Sequence, residues 1–319
     1  MHKIRRSAIY LIIGGLLLWL SGVVDELRVF QGANASVYVI AIASIILLTG
    51  YSGQLSLGHG ALMAVGAYAA VLTQKHWHFS LTLTFISAVL VAAAVGAILG
   101  VAAARLKGPY LAGTTLAFAV GLPTLANQFS IFGGEQGLNY EVSNPPKSLG
   151  NNFTQYRWYF WITALAALII MWLMHNLLTS RYGRQWRAVK SSPVSAALSG
   201  IYNEKIKILA FTISSGLAGL SGALLALTLN LVTPSAFPLS LSFAIVTGAV
   251  LAGLTTLTSS IVGALVLVAI PDVADFLTEK LGGAERVSAN LPGLITSVLL
   301  IVTILSGPLG SKIHLRKRK

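Results

Sequence analysis

Long apolar stretches, separated by short polar or basic ones, make up most of the chain. A transmembrane helix needs about 20 predominantly apolar residues, and the stretches that approach this length are Ala8–Val24, Ala35–Leu48, Leu55–Leu72, Leu81–Ala104, Leu111–Phe132, Trp158–Leu178, Ile206–Asn230, Leu241–Leu254, Ser259–Leu277 and Leu291–Leu305. Several are short or interrupted by glycine. The pattern therefore predicts an all-α, polytopic membrane helical bundle of about ten (8–10) transmembrane helices.

The basic residues stand at the ends of the apolar stretches, not along an amphipathic face, so the net charge of +13 does not indicate nucleic-acid binding. Cytoplasmic loops of membrane proteins carry an excess of Lys and Arg. The clusters that fit this side are Lys3, Arg5 and Arg6; Arg105 and Lys107; Arg181, Arg184, Arg187, Lys190, Lys205 and Lys207; and Lys312, Arg316, Lys317, Arg318 and Lys319. Ten spans place all four clusters on one side, with both termini cytoplasmic.

The same pattern divides the chain into three parts. Residues 1–34 form a first span and an outer loop, and residues 311–319 form a basic cytoplasmic tail. Residues 35–310 form the main transmembrane domain, with an outer loop at 133–157 and a cytoplasmic loop at 180–205. The N-terminal stretch also resembles a signal peptide, but the only A-x-A-like site, Ala33–Ala35, lies too far beyond the apolar run, so an uncleaved first span is expected.

The stretch GYSGQLSLGHG, residues 50–60, carries the strongest hint of catalysis. Its G-x-S-G form occurs in intramembrane serine proteases, with Ser52 and His59 as the candidate pair. On a helix these residues lie about 10.5 Å apart along the axis, whereas a dyad needs about 2.6–3.2 Å. They meet only if the chain unwinds, so no catalytic residue is predicted. There is no cysteine and no H-E-x-x-H motif, so no metal site is predicted either.

Glycines give this stretch a second interpretation. Small residues let helix backbones approach closely in lipid, and glycine also permits a broken helix that faces a cavity. The residues concerned are Gly50, Gly53, Gly58, Gly60 and Gly66. A second small-residue region at 248–267 lies in the other half of the chain, and such pairs occur along transport pathways. These small residues therefore have two alternative roles, close packing of helices or the lining of a transport pathway.

The basic loop contains apolar positions that a solvated linker does not need. Trp186, Val189 and the cluster at 196–198 predict a short amphipathic helix on each side of Pro193. Such a helix on a cytoplasmic loop docks on a partner or lies on membrane lipid. A plain positive-inside linker is the alternative.

Several motifs resemble one family, the M-type permease subunits of branched-chain amino acid ABC importers. GYSGQLSLGHGALMAVGAYAAVL is similar to the hallmark segment of that family. The other similar stretches are ARLKGPYLAGTTLAF (104–118), NQFSIFGGEQGL (127–138), the loop and span at 180–227, and the terminal GPLG (307–310).

The resemblance implies a permease that moves branched-chain or other apolar amino acids inward across the bacterial inner membrane. It also implies several partners: a second homologous permease subunit, two ATP-binding subunits that hold ATP and Mg, and an extracytoplasmic substrate-binding protein. This chain has no Gly-Lys dipeptide and hence no P-loop of its own. The residues that would couple it to the ATPase are Arg184, Arg187, Ala188, Ala196, Ala197, Leu198, Gly200 and Ile201.

Polar residues near the interrupted segments are candidates for the substrate pathway: Gln54, Ser56, His59, Thr114, Thr115 and Asn127. The alternative for each is a side chain hydrogen-bonded to a neighbouring helix. The alternative functions are a urea or amide permease of the same family, an ATP-independent membrane carrier, and the intramembrane serine protease.

Overall fold

The computed structural model describes residues 12–106, 108–141, 144–146, 153–281, 291–299 and 301–302. These residues are all-α apart from one short strand pair, and their helices are α1 (12–20), α2 (Glu26–Ile45), α3 (His59–Trp77), α4 (Leu81–Arg105), α5 (Pro109–Gln128), α6 (Gln155–Thr179), α7 (Arg181–Ser191), α8 (Pro193–Leu198), α9 (Asn203–Leu229), α10 (Leu239–Ala252), α11 (Ser259–Leu281) and α12 (291–299). A π-helical turn, Ile46–Tyr51, extends α2. Short 3₁₀ turns cover Ser130–Phe132, Gly134–Gln136 and Pro234–Ala236.

Six helices in the described part of the chain are long and apolar enough to cross a membrane: α2 with its π-helical turn, α4, α6, α9, α10 with the turn before it, and α11. A seventh span results if α5 is counted together with the 3₁₀ turns after it, from which it is bent by 96°. The all-α class is confirmed. The count of about ten stays a prediction, and so do the cytoplasmic termini, because residues 1–11 and 303–319 lie outside the described residues, as do the predicted tail and its clusters.

Three predicted spans have wrong boundaries. The stretch Leu55–Leu72 is not one helix, because the chain runs without regular helix from Ser52 to Gly58 and α3 begins only at His59. The stretch Leu111–Phe132 ends early as a helix, because Phe129 leaves helical geometry at φ −102° and ψ 121°. In addition, α2 begins at Glu26, well before the predicted start at Ala35.

Helices α2 and α9 form the centre of the bundle, and α3, α4, α6 and α11 pack around them. Glycines allow the closest of these contacts. A Cβ on Gly66 of α3 would collide with the backbone of Gly219 in α9, and one on Gly222 would collide with the Met63 carbonyl. Because lipid supplies little hydrophobic drive between helices, such close backbone packing holds the bundle together. The outer faces of α4 carry exposed apolar side chains, among them Leu90 and Ile98, as contact with lipid requires.

A two-stranded antiparallel ladder closes the end of the bundle at which α9 finishes. Strand β1 (Leu138–Asn139) pairs with β2 (Leu231–Val232), with Leu138 opposite Val232. Tyr140 extends the contact, since its amide donates to the Asn230 carbonyl and its hydroxyl lies 2.8 Å from the Thr84 hydroxyl. This "ladder end" lies opposite the end that carries α7 and α8, which pack beside the start of α9.

Candidate functional site

The chain is unwound between α2 and α3, and residues Ser52–Gly58 are called here the unwound segment. Gly53 stands at φ +73°, a left-handed conformation that glycine adopts without steric cost. Non-helical backbone at membrane depth is tolerated where protein groups satisfy it. Here the amides of Ser52 and Gln54 donate back to the Leu47 and Leu48 carbonyls of the π-helical turn, at 3.1 and 3.0 Å.

Groups of α5 and α9 add hydrogen bonds to the unwound segment. The Leu57 amide donates to the Thr115 hydroxyl of α5 at 3.0 Å. The Gln54 side-chain amide donates to the Ser52 hydroxyl at 2.8 Å and to the Lys207 carbonyl of α9 at 3.1 Å. The Lys207 carbonyl can only accept a hydrogen bond, so the Gln54 side-chain atom that faces it must be the NH₂ nitrogen and not the oxygen. Among the described residues, the side-chain oxygen of Gln54 has no hydrogen-bond partner, and it is buried.

His59 begins α3 and is almost fully buried in this polar cluster. Its Nε2 lies 3.0 Å from the Ser214 hydroxyl, and its Nδ1 lies 3.3 Å from the Ser56 hydroxyl. The Ser214 hydroxyl donates its one proton to the Ser44 carbonyl at 2.8 Å. Ser214 must therefore accept from Nε2–H, which assigns the proton of neutral His59 to Nε2 and leaves Nδ1 to accept from Ser56.

This arrangement does not support a serine protease. Unwinding does occur between Ser52 and His59, as a dyad would need, but the two side chains have other partners. Ser52 bonds Gln54, and both ring nitrogens of His59 are occupied by Ser56 and Ser214. Ser214 itself gives its proton to a backbone carbonyl, so His59 does not act on it as a base.

The structure brings four of the six candidate pathway residues together. Gln54, Ser56, His59 and Thr115 are all buried around the unwound segment. The other two lie elsewhere on α5. Thr114 is half-buried and bonds the Tyr110 carbonyl of its own helix at 2.8 Å. Asn127 is exposed near the far end of α5.

The five predicted packing glycines all lie at close contacts, with different neighbours. A Cβ on Gly50 would meet the Leu254 carbonyl, and one on Gly58 would lie 2.8 Å from the Thr115 carbonyl. A Cβ on Gly60 would lie 2.7 Å from the Ser242 hydroxyl, which accepts a hydrogen bond from the Gly60 amide at 2.9 Å. Gly53 faces the Lys190 side chain, and Gly66 faces Gly219 as described above.

Three serines of this site were missed in the sequence: Ser44, Ser214 and Ser242. All three are buried. Ser214 bonds His59 and Ser242 bonds Gly60 from other helices, whereas Ser44 contributes its backbone carbonyl, which accepts from Ser214. The only signal for them was a small polar residue inside an apolar stretch, as in the TISSGLAG run of α9. Such residues often join transmembrane helices, but spacing alone does not say to what.

The basic loop forms two helices, α7 and α8, so the prediction of one helix on each side of Pro193 is confirmed. Serines cap both: the Ser180 hydroxyl accepts from the Tyr182 amide, and the Ser192 hydroxyl accepts from the Ser195 amide. Proline suits the first position of α8, where its missing N–H costs nothing. Together α7, α8 and the turn to α9 are called here the coupling segment.

One face of the coupling segment is anchored in the bundle and the other is free. Trp186 is fully buried and donates from Nε1 to the Ile206 carbonyl at 2.9 Å, and Val189 is buried beside it. On α8 the outward apolar residues Val194 and Leu198 are 71% and 86% exposed. Of the predicted coupling residues, Ala196 is buried, Ala188 and Ile201 are partly buried, and Arg184, Arg187, Ala197, Leu198 and Gly200 are exposed.

The ladder end carries two grooves of opposite character. One, of about 950 Å³, is polar and is lined by residues of α3 and the loop after α5, among them Gln74, Lys75 and Glu141. The other, of about 800 Å³, is lined almost wholly by apolar residues of α3, α4 and α5 such as Leu72, Trp77 and Leu125. Within the described residues, no group of three or more His, Cys, Asp or Glu side chains is placed to hold a metal ion.

Most of the chain is similar to known membrane permeases. A family model described as "Branched-chain amino acid transport system / permease component" matches residues 30–304. The chain is 29% identical over 254 residues to the high-affinity branched-chain amino acid transport system permease protein LivM of Escherichia coli (strain K12), covering 73% of this chain and 60% of that protein. The LivM protein of Salmonella typhimurium gives the same identity and coverage.

A second type of relative matches over a greater share of its own length. The permease protein LivH of the same kind of transport system, from Salmonella typhimurium, is 22% identical over 301 residues, covering 89% of this chain and 94% of that protein. No solved structure matches the chain.

Proposed function

Because the chain belongs to the family of permease components of branched-chain amino acid transport systems, we propose that it is the membrane permease subunit of an ATP-driven importer. It moves branched-chain or other apolar amino acids inward across the bacterial inner membrane. It works with a second homologous permease, two ATP-binding subunits that hold ATP and Mg, and an extracytoplasmic binding protein. We further propose that the chain crosses the membrane about ten times, with both termini in the cytoplasm.

The observation that carries the proposal is the two-faced coupling segment. A chain without a P-loop needs energy from outside, and rigid-body motion passes between subunits through packed helices. Trp186 fixes α7 to α9, while Val194 and Leu198 on α8 have no cover within the described chain. A short helix with exposed apolar side chains beside basic ones suits a groove with an apolar floor and an acidic rim on an ATP-binding subunit.

The distribution of basic residues supports a cytoplasmic position for the coupling segment. The end of the bundle with the coupling segment carries Arg105 at the close of α4 and Lys205 and Lys207 at the start of α9, besides the basic residues of α7. The ladder end mixes both signs, for example Lys75 with Glu141. By the positive-inside rule the coupling segment faces the cytoplasm. The polar groove at the ladder end then faces outward, where it offers a docking surface for a binding protein.

Substrate would pass along the bundle near the unwound segment. Broken helices whose polar groups face one another occur at the binding sites of transporters. In the present arrangement the buried cluster around His59 and Gln54 is closed, so passage requires the unwound segment to move. The urea or amide alternative within the same family differs only in the substrate, and transport competition distinguishes it.

The decisive experiment co-expresses the chain with the second permease and the ATP-binding subunits and follows their co-purification. It then measures uptake of labelled leucine into proteoliposomes in the presence of the binding protein and ATP. Leu198→Asp and Val194→Asp should each abolish co-purification of the ATPase while leaving the permease folded. Leu90→Ala on α4 serves as the control, because it alters another exposed apolar residue, 63% exposed, away from the coupling segment without placing a polar group in lipid. Uptake by the chain without ATPase subunits or ATP would instead indicate the ATP-independent carrier.

A further inference from the structure

Lys190 links the coupling segment directly to the end of α2. It stands in the last turn of α7, and its ammonium donates a hydrogen bond to the Gly50 carbonyl with an N–O distance of 2.5 Å. Gly50 lies in the π-helical turn Ile46–Tyr51. The Leu47 and Leu48 carbonyls of this turn accept from the Ser52 and Gln54 amides. The Gly50 carbonyl lies where the chain leaves helical geometry, and a cation is the favoured partner at such a helix C-terminus.

The stem of Lys190 also fits against the unwound segment itself. A Cβ on Gly53 would lie 2.9 Å from the Lys190 Cγ, so glycine leaves the space that the stem fills. Arg187 stands three residues earlier on the same helix face, and its guanidinium carbon lies 5.6 Å from the centre of the Tyr51 ring. Two basic side chains of α7 thus hold the junction between α2 and the unwound segment.

Lys205 at the start of α9 provides a contrast. Its ammonium lies 5.0 Å from the centre of the ring of Tyr202, which stands only three residues earlier in the chain. That contact is local and involves neither α2 nor the unwound segment. A basic side chain at this end of the bundle is therefore not enough to form the link, which depends on the position of Lys190.

We propose that Lys190 is the positioning residue through which movement of the coupling segment reaches the unwound segment. The inference rests on the proposed function. When an ATP-binding subunit displaces α8, α7 moves with it, and Lys190 shifts the Gly50 carbonyl and the end of α2. The unwound segment is tied to α9 through the Gln54–Lys207 bond, so this shift changes its path between α2 and α9. The closed cluster around His59 opens as a result.

The first test uses the complete transporter in proteoliposomes and measures the ratio of leucine taken up to ATP hydrolysed. Lys190→Met keeps the stem and removes the donor, and it should lower this ratio at least threefold while assembly and basal ATP hydrolysis persist. Lys190→Arg keeps a donor and should restore most of the ratio. Lys205→Met is the matched control and should leave the ratio unchanged.

The second test follows the unwound segment without relying on transport. The chain has no cysteine, so Ser52→Cys introduces one thiol at a buried position. In the purified full chain, Lys190→Met should raise the rate of labelling by a water-soluble maleimide at least threefold, whereas Lys205→Met should not.

The outcomes separate the two proposals. A parent complex without ATP-dependent uptake overturns the proposed function and the coupling role together. A parent complex that transports, combined with an unchanged ratio in Lys190→Met, overturns the coupling role alone. Equal loss of assembly and uptake, without rescue by Lys190→Arg, shows that Lys190 only supports the fold. Unchanged labelling of Ser52→Cys overturns the claim that Lys190 holds the unwound segment.

Discussion

Gly66 should be the least replaceable of the glycines in α3. An added Cβ would lie closer than 3.0 Å to three backbone atoms of Gly219, its carbonyl oxygen, its carbonyl carbon and its Cα. None of these atoms can rotate away, so Gly66→Ala must push α3 and α9 apart. Overpacking of this kind costs about 1–3 kcal/mol, and contact with rigid backbone favours the upper end of that range.

Gly113 of α5 provides the matched control, because it is also a helical glycine but has no atom within 4 Å of its added Cβ. Gly113→Ala should therefore be neutral or stabilising by up to about 1 kcal/mol, since alanine favours helix over glycine. The two variants should differ by about 2–4 kcal/mol in the free energy of unfolding.

The assay is unfolding of the purified chain in mild detergent, followed by circular dichroism, with both variants beside the parent. Gly66→Ala should weaken the packing of α3 against α9, so this variant should unfold at a lower midpoint and with a smaller free energy of unfolding than the parent. If Gly66→Ala is as stable as Gly113→Ala, the two backbones do not pack as closely as described, and the account of the bundle centre is wrong.

Two further predictions concern buried polar groups. Ser242→Ala leaves the buried Gly60 amide without its acceptor and should cost about 1–3 kcal/mol of stability in the same unfolding assay, whereas a loss below about 0.5 kcal/mol would count against the contact. Burial raises the pKa of Tyr140 at the ladder end to about 12, so its stabilising effect is complete below the ordinary value near 10 and is lost as pH rises through about 12. Between pH 8 and pH 11 the parent should therefore lose about 1.4 kcal/mol more than Tyr140→Phe; equal losses in thermal melts at the two pH values would contradict the raised pKa.

Some of the architecture could be predicted from sequence because the bilayer imposes it. Long apolar runs require helices, since backbone groups in lipid must bond within their own segment. The two helices around Pro193 followed from apolar positions in a basic loop. The predicted start of α3 is wrong because Leu55 and Leu57 look helical in composition. The Leu57 and Gly58 amides instead donate to the Thr115 and Ser56 hydroxyls, which hold this backbone in another path.

The polar cluster lay beyond sequence reasoning for a different reason. The partners of His59 and Gly60 stand 155 and 182 residues away along the chain. Nothing in local spacing connects them, and only the packing of α3 against α9 and α10 brings them together. The same holds for Lys190 and Gly50, which are 140 residues apart. In the sequence Lys190 is one basic residue among many in its loop.

The pairing of β1 with β2 bears on how the protein is made. Leu138 finds its partner Val232 only after α6, α7, α8 and α9 have been synthesised. Since β1 is synthesised well before β2, its backbone groups have no strand partner during the synthesis of α6 to α9. The strand pair therefore forms only once α9 is in place, and a nascent chain arrested before α9 would still expose residues 138–140 to protease.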